Sequence, residues 1–386
     1  MYSSRLPICL EKDKIQEILA QKRRNQEQIF DLTSSNPTKA NFNYPLFNAA
    51  EPSCFNLEYL PEPQGYSSAL ETISQAWRPE KNLNPTQFFL TSSTSEAYSI
   101  LFKLFCNGGD EVLLPSPSYP LIEYLAQSEA VVSRKYYYVE AEGWFIDRKS
   151  LVDSITKRTK VLVIVNPNNP TGHYTCPEQM ADLIQIAQSN NLAIISDEVF
   201  YEYSRDGVYP QSFLDVSNSK VPLVILGGLS KWLGLPQAKL SWGYFHCHQD
   251  LIREAMPRLS WLLDLYLSVS FDVQINIESM ARVFHPVQDQ IRGRVLKNER
   301  ALIEAFKNDP KVRVLMSEGG WNAVLALPQA IESDQWACDL LLKKNVYLYS
   351  GHLFEMPFQS FVVSLLMEPS QFARSIKLMT EFLKEI

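Results

Sequence analysis

No stretch of the 386-residue sequence approaches the roughly 20 apolar residues that a membrane-spanning helix requires. The first residues also lack the charged-then-apolar pattern of a secretory signal. Neither a membrane partner nor export is therefore expected. No block of lysine and arginine occurs, and the net charge is −7, so nucleic acid is not an expected partner either. The six cysteines, at 9, 54, 106, 176, 247 and 338, form no Cys-x-x-Cys and no regular spacing. They read as reduced thiols in a cytoplasmic protein. His246-Cys247-His248 could suggest a metal, but alternate residues of a strand face opposite ways and no third ligand cluster lies nearby, so no metal site is expected. Internal repeats and low-complexity segments are absent too. What remains is ordinary globular composition, 46% hydrophobic and 20% charged, in a chain long enough for a sizeable core and two domains.

Residues 11–29 carry Ile15, Ile18, Leu19 and Ile29 at helical spacing, which predicts an amphipathic N-terminal helix packed on a smaller domain or a partner subunit. The Pro- and Asn-rich stretch from Asn36 to Pro63 reads as a long ordered loop. From about Gly65 to Gln274, strands and helices alternate. Strands are predicted at 87–91, 111–115, 130–138, 160–165, 192–196, 221–226 and 240–246, and helices at 95–106, 119–127, 178–190 and 247–258. Such alternation implies an α/β fold, a mainly parallel seven-stranded sheet with helices on both faces. A long helix at about 288–308 and mixed short elements then suggest a smaller α+β domain. The expected division is an N-terminal helix and arm (1–40), a large domain (41–282) and a small C-terminal domain (283–386).

Three apolar runs end in polar residues. Val161-Leu162-Val163-Ile164-Val165 leads into Asn166-Pro167-Asn168-Asn169-Pro170-Thr171-Gly172, and Leu192-Ala193-Ile194-Ile195-Ser196 into Asp197-Glu198. Val221 to Leu226 leads into Gly227-Gly228-Leu229-Ser230-Lys231. Runs of this kind mark strands buried on both faces, and parallel α/β sheets bind ligands at the carboxyl ends of their strands. A lysine at such a buried end has its ammonium form disfavoured, and the neutral amine can form a Schiff base with an aldehyde.

On these motifs the chain resembles the fold-type I pyridoxal-phosphate enzymes, specifically the class I/II aminotransferases, from about Leu32 to the C-terminus. The resemblance implies pyridoxal 5'-phosphate as cofactor and an aminotransferase acting on small-molecule amine and keto-acid substrates. It implies that Lys231 forms the Schiff base and shuttles the proton at the substrate α-carbon. Asp197 would pair with the pyridine nitrogen and Asn169 would donate to the ring hydroxyl. Tyr119 would stack on the ring, and Ser93, Thr94, Ser230 and Lys239 would hold the phosphate. Tyr59 would reach the phosphate of a neighbouring subunit, which implies a homodimer with shared sites. Asn36, with Asn169, is a candidate for the substrate carboxylate. The same fold supports lyases, decarboxylases and oxidases, and a non-catalytic regulator is a further alternative, although such regulators carry an added DNA-binding domain for which residues before 32 leave no room.

The pattern breaks in two places. Phe200 stands where relatives carry a tyrosine that donates to the ring oxygen, and Tyr201 is expected to point the other way. Val362, in Ser360-Phe361-Val362-Val363-Ser364, stands where relatives carry the arginine that grips the substrate carboxylate in a two-pronged pair. Lys239 replaces a common arginine and offers a point charge without the planar fork. Asp264 to Ser270 contains no arginine for a second carboxylate, which disfavours acidic donors.

Overall fold

A computed structural model describes residues 3, 5–6, 13–47, 61–141, 143–205, 211–216, 219–267 and 269–385. An eight-stranded sheet forms the centre, in the order Phe88–Thr91, Ser241–Phe245, Leu223–Gly228, Ala193–Asp197, Thr159–Val165, Glu111–Ser116, Val132–Glu140 and Trp144–Ile146. The five strands from Leu223–Gly228 to Val132–Glu140 run parallel, and Ser241–Phe245 runs against both its neighbours. The sheet has one strand more than expected. Trp144–Ile146 is a three-residue strand that folds back antiparallel on Val132–Glu140, too short to leave a period in the sequence.

Alternation along the central strands explains the core. Leu162, Ile164, Ile194, Leu223 and Ile225 pack on one side of the sheet, and Val161, Val163, Val165, Ile195, Val224 and Leu226 on the other. Both sets are buried, as continuous aliphatic runs require of parallel strands. The predicted helices are observed at Thr94–Phe105, Leu121–Ser128, Pro177–Asn190 and Gln249–Asp264, the last ending six residues later than expected.

The largest difference concerns the long helix, which runs from Ile277 to Phe306 instead of starting near 288. Proline usually ends a helix, yet Pro286 lies inside this one. At 30 residues the helix is about 45 Å long, packing on Ser67–Ala76 near one end and on Pro369–Lys384 near the other. The expected boundary at 282/283 therefore falls within one continuous helix. Beyond it a four-stranded antiparallel sheet, ordered Arg313–Val314, Asn322–Ala326, Ser360–Ser364 and Tyr349–Ser350, packs against the helix Ser333–Lys344, and Pro369–Lys384 packs on that helix and on the long one.

The N-terminal helix is shorter than the predicted 11–29: Lys14–Arg24, capped by Asp13 Oδ1, which accepts from the Ile15 N–H. Its Ile18 and Leu19 pack on Cys338, Leu341 and Tyr347 of the small sheet's region, and Phe30–Asp31 pairs in parallel with Val346–Tyr347. The Asn36 loop contains a short 3-10 turn, Pro37–Lys39. No described helix is long and apolar enough to cross a membrane.

Candidate active site

Three neighbouring parallel strands end side by side, and each contributes one polar group. Ala193–Asp197 ends on Asp197 itself; Thr159–Val165 runs into the Asn166 to Gly172 loop; Leu223–Gly228 runs into a single helical turn, Leu229–Trp232, that carries Lys231. The paired glycines before that turn have a steric cause. A Cβ on Gly227 would stand 2.5 Å from Trp242 Nε1 and 3.0 Å from Trp77, so the strand can approach those rings only without a side chain there. Lysine is thus one turn past the strand, rather than on its last residue.

Lys231 Nζ lies 4.4 Å from the ring centre of Trp321 and 5.0 Å from that of Phe200. It makes no salt bridge with any described residue. Its backbone is pinned by the Tyr203 hydroxyl, which donates to the Lys231 carbonyl at 2.6 Å. Burial lowers its pKa to about 8, partly opposed by the negative charge of Asp197. About a tenth of the amine is therefore neutral, and nucleophilic, at pH 7, far more than for an ordinary lysine.

Asp197 is 9% exposed and receives two hydrogen bonds, from the Tyr98 hydroxyl to Oδ2 at 3.0 Å and from the Val199 N–H to Oδ1 at 3.2 Å. Burial raises its carboxyl to about 6 despite these donors, and no cation among the described residues forms a salt bridge with it. An unpaired buried carboxylate of this kind is stabilised by a cationic N–H, which is the group a protonated pyridine ring presents. Next to it Glu198 is paired: Arg78 donates to Glu198 and to Ser212 Oγ at 2.8 Å, and Glu202 lies 3.7 Å from the Arg78 Nε.

Asn169 accepts a 2.7 Å hydrogen bond on Oδ1 from Asn322 Nδ2, which reaches across from the small sheet. At the sheet edge, Phe88–Thr91 leads into the 12-residue helix Thr94–Phe105, capped by Ser93, whose Oγ accepts from the Glu96 N–H at 3.1 Å. The first N–H groups of this helix, at Thr94 and Ser95, remain available to an anion. Ser230 lies in the Lys231 turn, and Lys239 is exposed, in the left-handed conformation after Pro236–Ala238. The uncommitted lysine, the unpaired carboxylate and the capped helix start together fit pyridoxal phosphate.

The other expected residues sit as follows. Tyr119, 46% exposed, lies just past the end of Glu111–Ser116, on the same edge of the sheet. Asn36 is partly committed: its Oδ1 accepts from the Thr38 N–H and hydroxyl, capping the local turn, so only its amide nitrogen is left for a ligand. Tyr59 lies outside the described residues. Phe200 meets Trp321 edge-on, at 5.3 Å, while Tyr201 turns to Arg78, whose guanidinium carbon is 3.9 Å from its ring centre. Tyr201 therefore offers no substitute donor beside Lys231. His246 Nε2 bonds the Val216 carbonyl and His248 caps the following helix.

Val362 is buried, and its strand register places it on the same face as Ser364 and Asn322: Asn322 pairs with Ser364 and Val324 with Val362. The nearby arginines serve the backbone. Arg205 holds the Gly320 and Asn322 carbonyls and pairs with Glu299 at 2.9 Å, and Arg294 holds those of Ala40 and Leu366. The sequence reading passed over Tyr98, Tyr203, Trp321 and Asn322. Each reaches the site through tertiary packing, and none stands in a recognisable motif.

The model of the family "Aminotransferase class I and II" matches residues 29–374. Among curated proteins, the chain is 29% identical over 314 residues to a tyrosine aminotransferase of Dictyostelium discoideum, covering 77% of this chain and 74% of that one. It is 24% identical over 373 residues to the glutamate-pyruvate aminotransferase AlaA of Escherichia coli (strain K12), covering 92% and 88%. Among solved structures, an alanine aminotransferase from Pyrococcus furiosus superposes with a TM-score of 0.88 at 19% identity, over 100% of both chains. The chain belongs to the class I and II aminotransferases and is a pyridoxal-phosphate-dependent enzyme.

Proposed function

We propose that the enzyme moves an amino group from an amino-acid or amine donor to a keto acid, with Lys231 as the residue that holds the cofactor and moves the proton. The observation that carries this reading is the state of Lys231: a half-buried amine without a carboxylate partner among the described residues, lowered to about 8, one helical turn past the strand next to Asp197. Bound pyridoxal phosphate supplies an aldehyde carbon for the amine and a ring that withdraws electrons from the adjoining carbon. Lys231 would hold the cofactor through its amine, and that amine, when free, would move the proton at the substrate α-carbon. Asp197 keeps the pyridine nitrogen protonated, and Asn169 donates to the ring oxygen. Tyr119 stacks on the ring. The N–H groups at Ser93 and Thr94, the Ser230 hydroxyl and the Lys239 ammonium hold the phosphate, the last as a point charge.

Substrate choice is part of the same proposal. The relatives named above for tyrosine, glutamate-pyruvate and alanine make those amino and keto acids the first candidates. Phe200 and Trp321 beside Lys231, and Val362 in place of a cation, carry no charge, which favours neutral donors over acidic ones. Asn36, through its free amide nitrogen, and Asn169 are the proposed contacts to the carboxylate. The enzyme works as a homodimer in this reading. Leu265, Tyr266 and Leu267, 59%, 51% and 62% exposed, give the segment after Gln249–Asp264 an apolar surface for a second copy, and Tyr59 would reach the partner's phosphate. The cytoplasm is the proposed compartment, where Cys106, Cys176, Cys247 and Cys338 stay as free thiols.

Lys231→Ala tests the central role. The variant is expected to lose single-turnover amino transfer with every donor that the wild type accepts, and retained turnover would remove Lys231 from the mechanism.

A further inference from the structure

Among the described residues, Asn322 is the one small-domain side chain that hydrogen-bonds Asn169, and it does so across the gap between the two sheets. We infer that Asn322 is a positioning residue that orients the Asn169 amide, so that Asn169 presents its NH2 group to the cofactor. This inference rests on the site reading proposed above.

The argument is one of donors and acceptors. An asparagine amide has an oxygen that only accepts and a nitrogen that only donates. The ionised ring oxygen of the cofactor only accepts, so Asn169 must turn its nitrogen toward it. The Asn169 oxygen then faces the other way and needs a donor. Asn322 Nδ2 supplies that donor at 2.7 Å, in a partly buried position. Without it, the Asn169 oxygen would lose a hydrogen bond whenever the nitrogen served the cofactor, and the amide would be free to turn. Asn322 is itself held in place. Its strand is paired with Ser360–Ser364, its own carbonyl accepts from Arg205 at 3.3 Å, and Arg205 is anchored by Glu299. Phe200 raises the importance of the arrangement. It carries no donor, so Asn169 is left as the side-chain donor to the ring oxygen in this chain.

The consequence is measurable at Lys231. The linkage between Lys231 and the cofactor shares its proton with the ring oxygen. When that proton leaves, the oxygen keeps its negative charge alone, and a donor at the oxygen makes this state easier to reach. Weakening the donor therefore raises the pH at which the proton is lost.

The test is a pH titration of the visible absorption band of the pyridoxal-phosphate-loaded enzyme, in wild type, Asn322→Ala, Asn169→Ala and the double variant. Asn169→Ala should raise the midpoint by roughly one pH unit, and Asn322→Ala by a smaller amount of the same sign. The double variant should match Asn169→Ala, because Asn322 acts only through Asn169. Asn322→Leu keeps the branching and heavy-atom count of the side chain, leaves no cavity and should reproduce the alanine shift, which separates loss of the donor from a cavity. Unmoved midpoints in both Asn322 variants would overturn the inference and leave the proposed function standing, as would shifts that add fully to that of Asn169→Ala. A wild-type protein that takes up pyridoxal phosphate without any pH-dependent band would remove the site reading and this inference together.

Discussion

The carboxyl edge of the large sheet brings Asp197, Asn169 and Lys231 together, backed by the buried Arg78, Glu198 and Glu202 cluster. The facing sheet of the small domain brings Val362, Ser364, Trp321 and Asn322, and its neighbouring arginines are spent on backbone carbonyls. One face is charged and desolvated, the other neutral. Charge in a dry site is expensive unless it has a purpose, and in the proposed function the first face sets the cofactor's electronics. The neutral face can discriminate between donors by shape and by single hydrogen bonds, with little effect on the cofactor itself. The contrast also explains how the family's chemistry can persist here although Val362 and Phe200 depart from its pattern. Both departures touch the donor or the ring oxygen, and neither touches the lysine or the aspartate.

Substitutions should separate the two faces, and the largest effect is expected behind the charged one. Arg78→Ala leaves Glu198 and Glu202 buried without their cation, and should cost about 3–5 kcal/mol in chemical denaturation. A loss under about 1 kcal/mol would mean that water already reaches the cluster.

Asp197→Asn should act in opposite directions on stability and catalysis. The Asp197 carboxyl is raised from 3.8 to about 6 by burial, so the folded apoenzyme binds more protons than the unfolded chain between those values. Its contribution is intact below about pH 4 and is lost as pH rises through about 6. The asparagine variant has no such loss. As apoenzyme it should therefore be more stable than wild type by roughly 3 kcal/mol at pH 7, with the difference vanishing near pH 4. Amino transfer in the same variant should fall by about 10²-fold or more, because the counter-charge to the pyridine nitrogen is gone. Equal melting curves at pH 7 would contradict the assignment of Asp197 as an unpaired charge.

Tyr98→Phe removes one of the two hydrogen bonds to Asp197 and should weaken pyridoxal-phosphate affinity about fivefold, the equivalent of about 1 kcal/mol, in a fluorescence titration. On the neutral face the expected effect is different in kind. Val362→Ala should change kcat/KM among donors of different size by about tenfold or less, with cofactor affinity unchanged. A loss of cofactor affinity in that variant would break the division between the faces.

The charged face was also the legible one. Asn169, Asp197 and Lys231 each follow a continuous β-branched or aliphatic run, so sequence alone could set them at adjoining strand ends. The strand count missed only Trp144–Ile146, whose three residues are too few for a pattern. Asn322 could not be found this way. It lies 153 residues from Asn169, on a short strand, after Gly319 and Gly320, where nothing marks it as facing another domain. Tyr98 looks like any aromatic residue on the inner face of an amphipathic helix, and its hydroxyl gains meaning only from Asp197, 99 residues away. The start of the long helix was hidden by Pro286, because a proline that the fold tolerates inside a helix has the same sequence signature as one that ends it.

The account stands or falls on which lysine holds the cofactor. Borohydride reduction of the pyridoxal-phosphate-loaded enzyme makes that bond permanent, and digestion followed by mass spectrometry locates it. The predicted result is a single modified peptide with the adduct on Lys231; an adduct on any other lysine, or none at all, would contradict it.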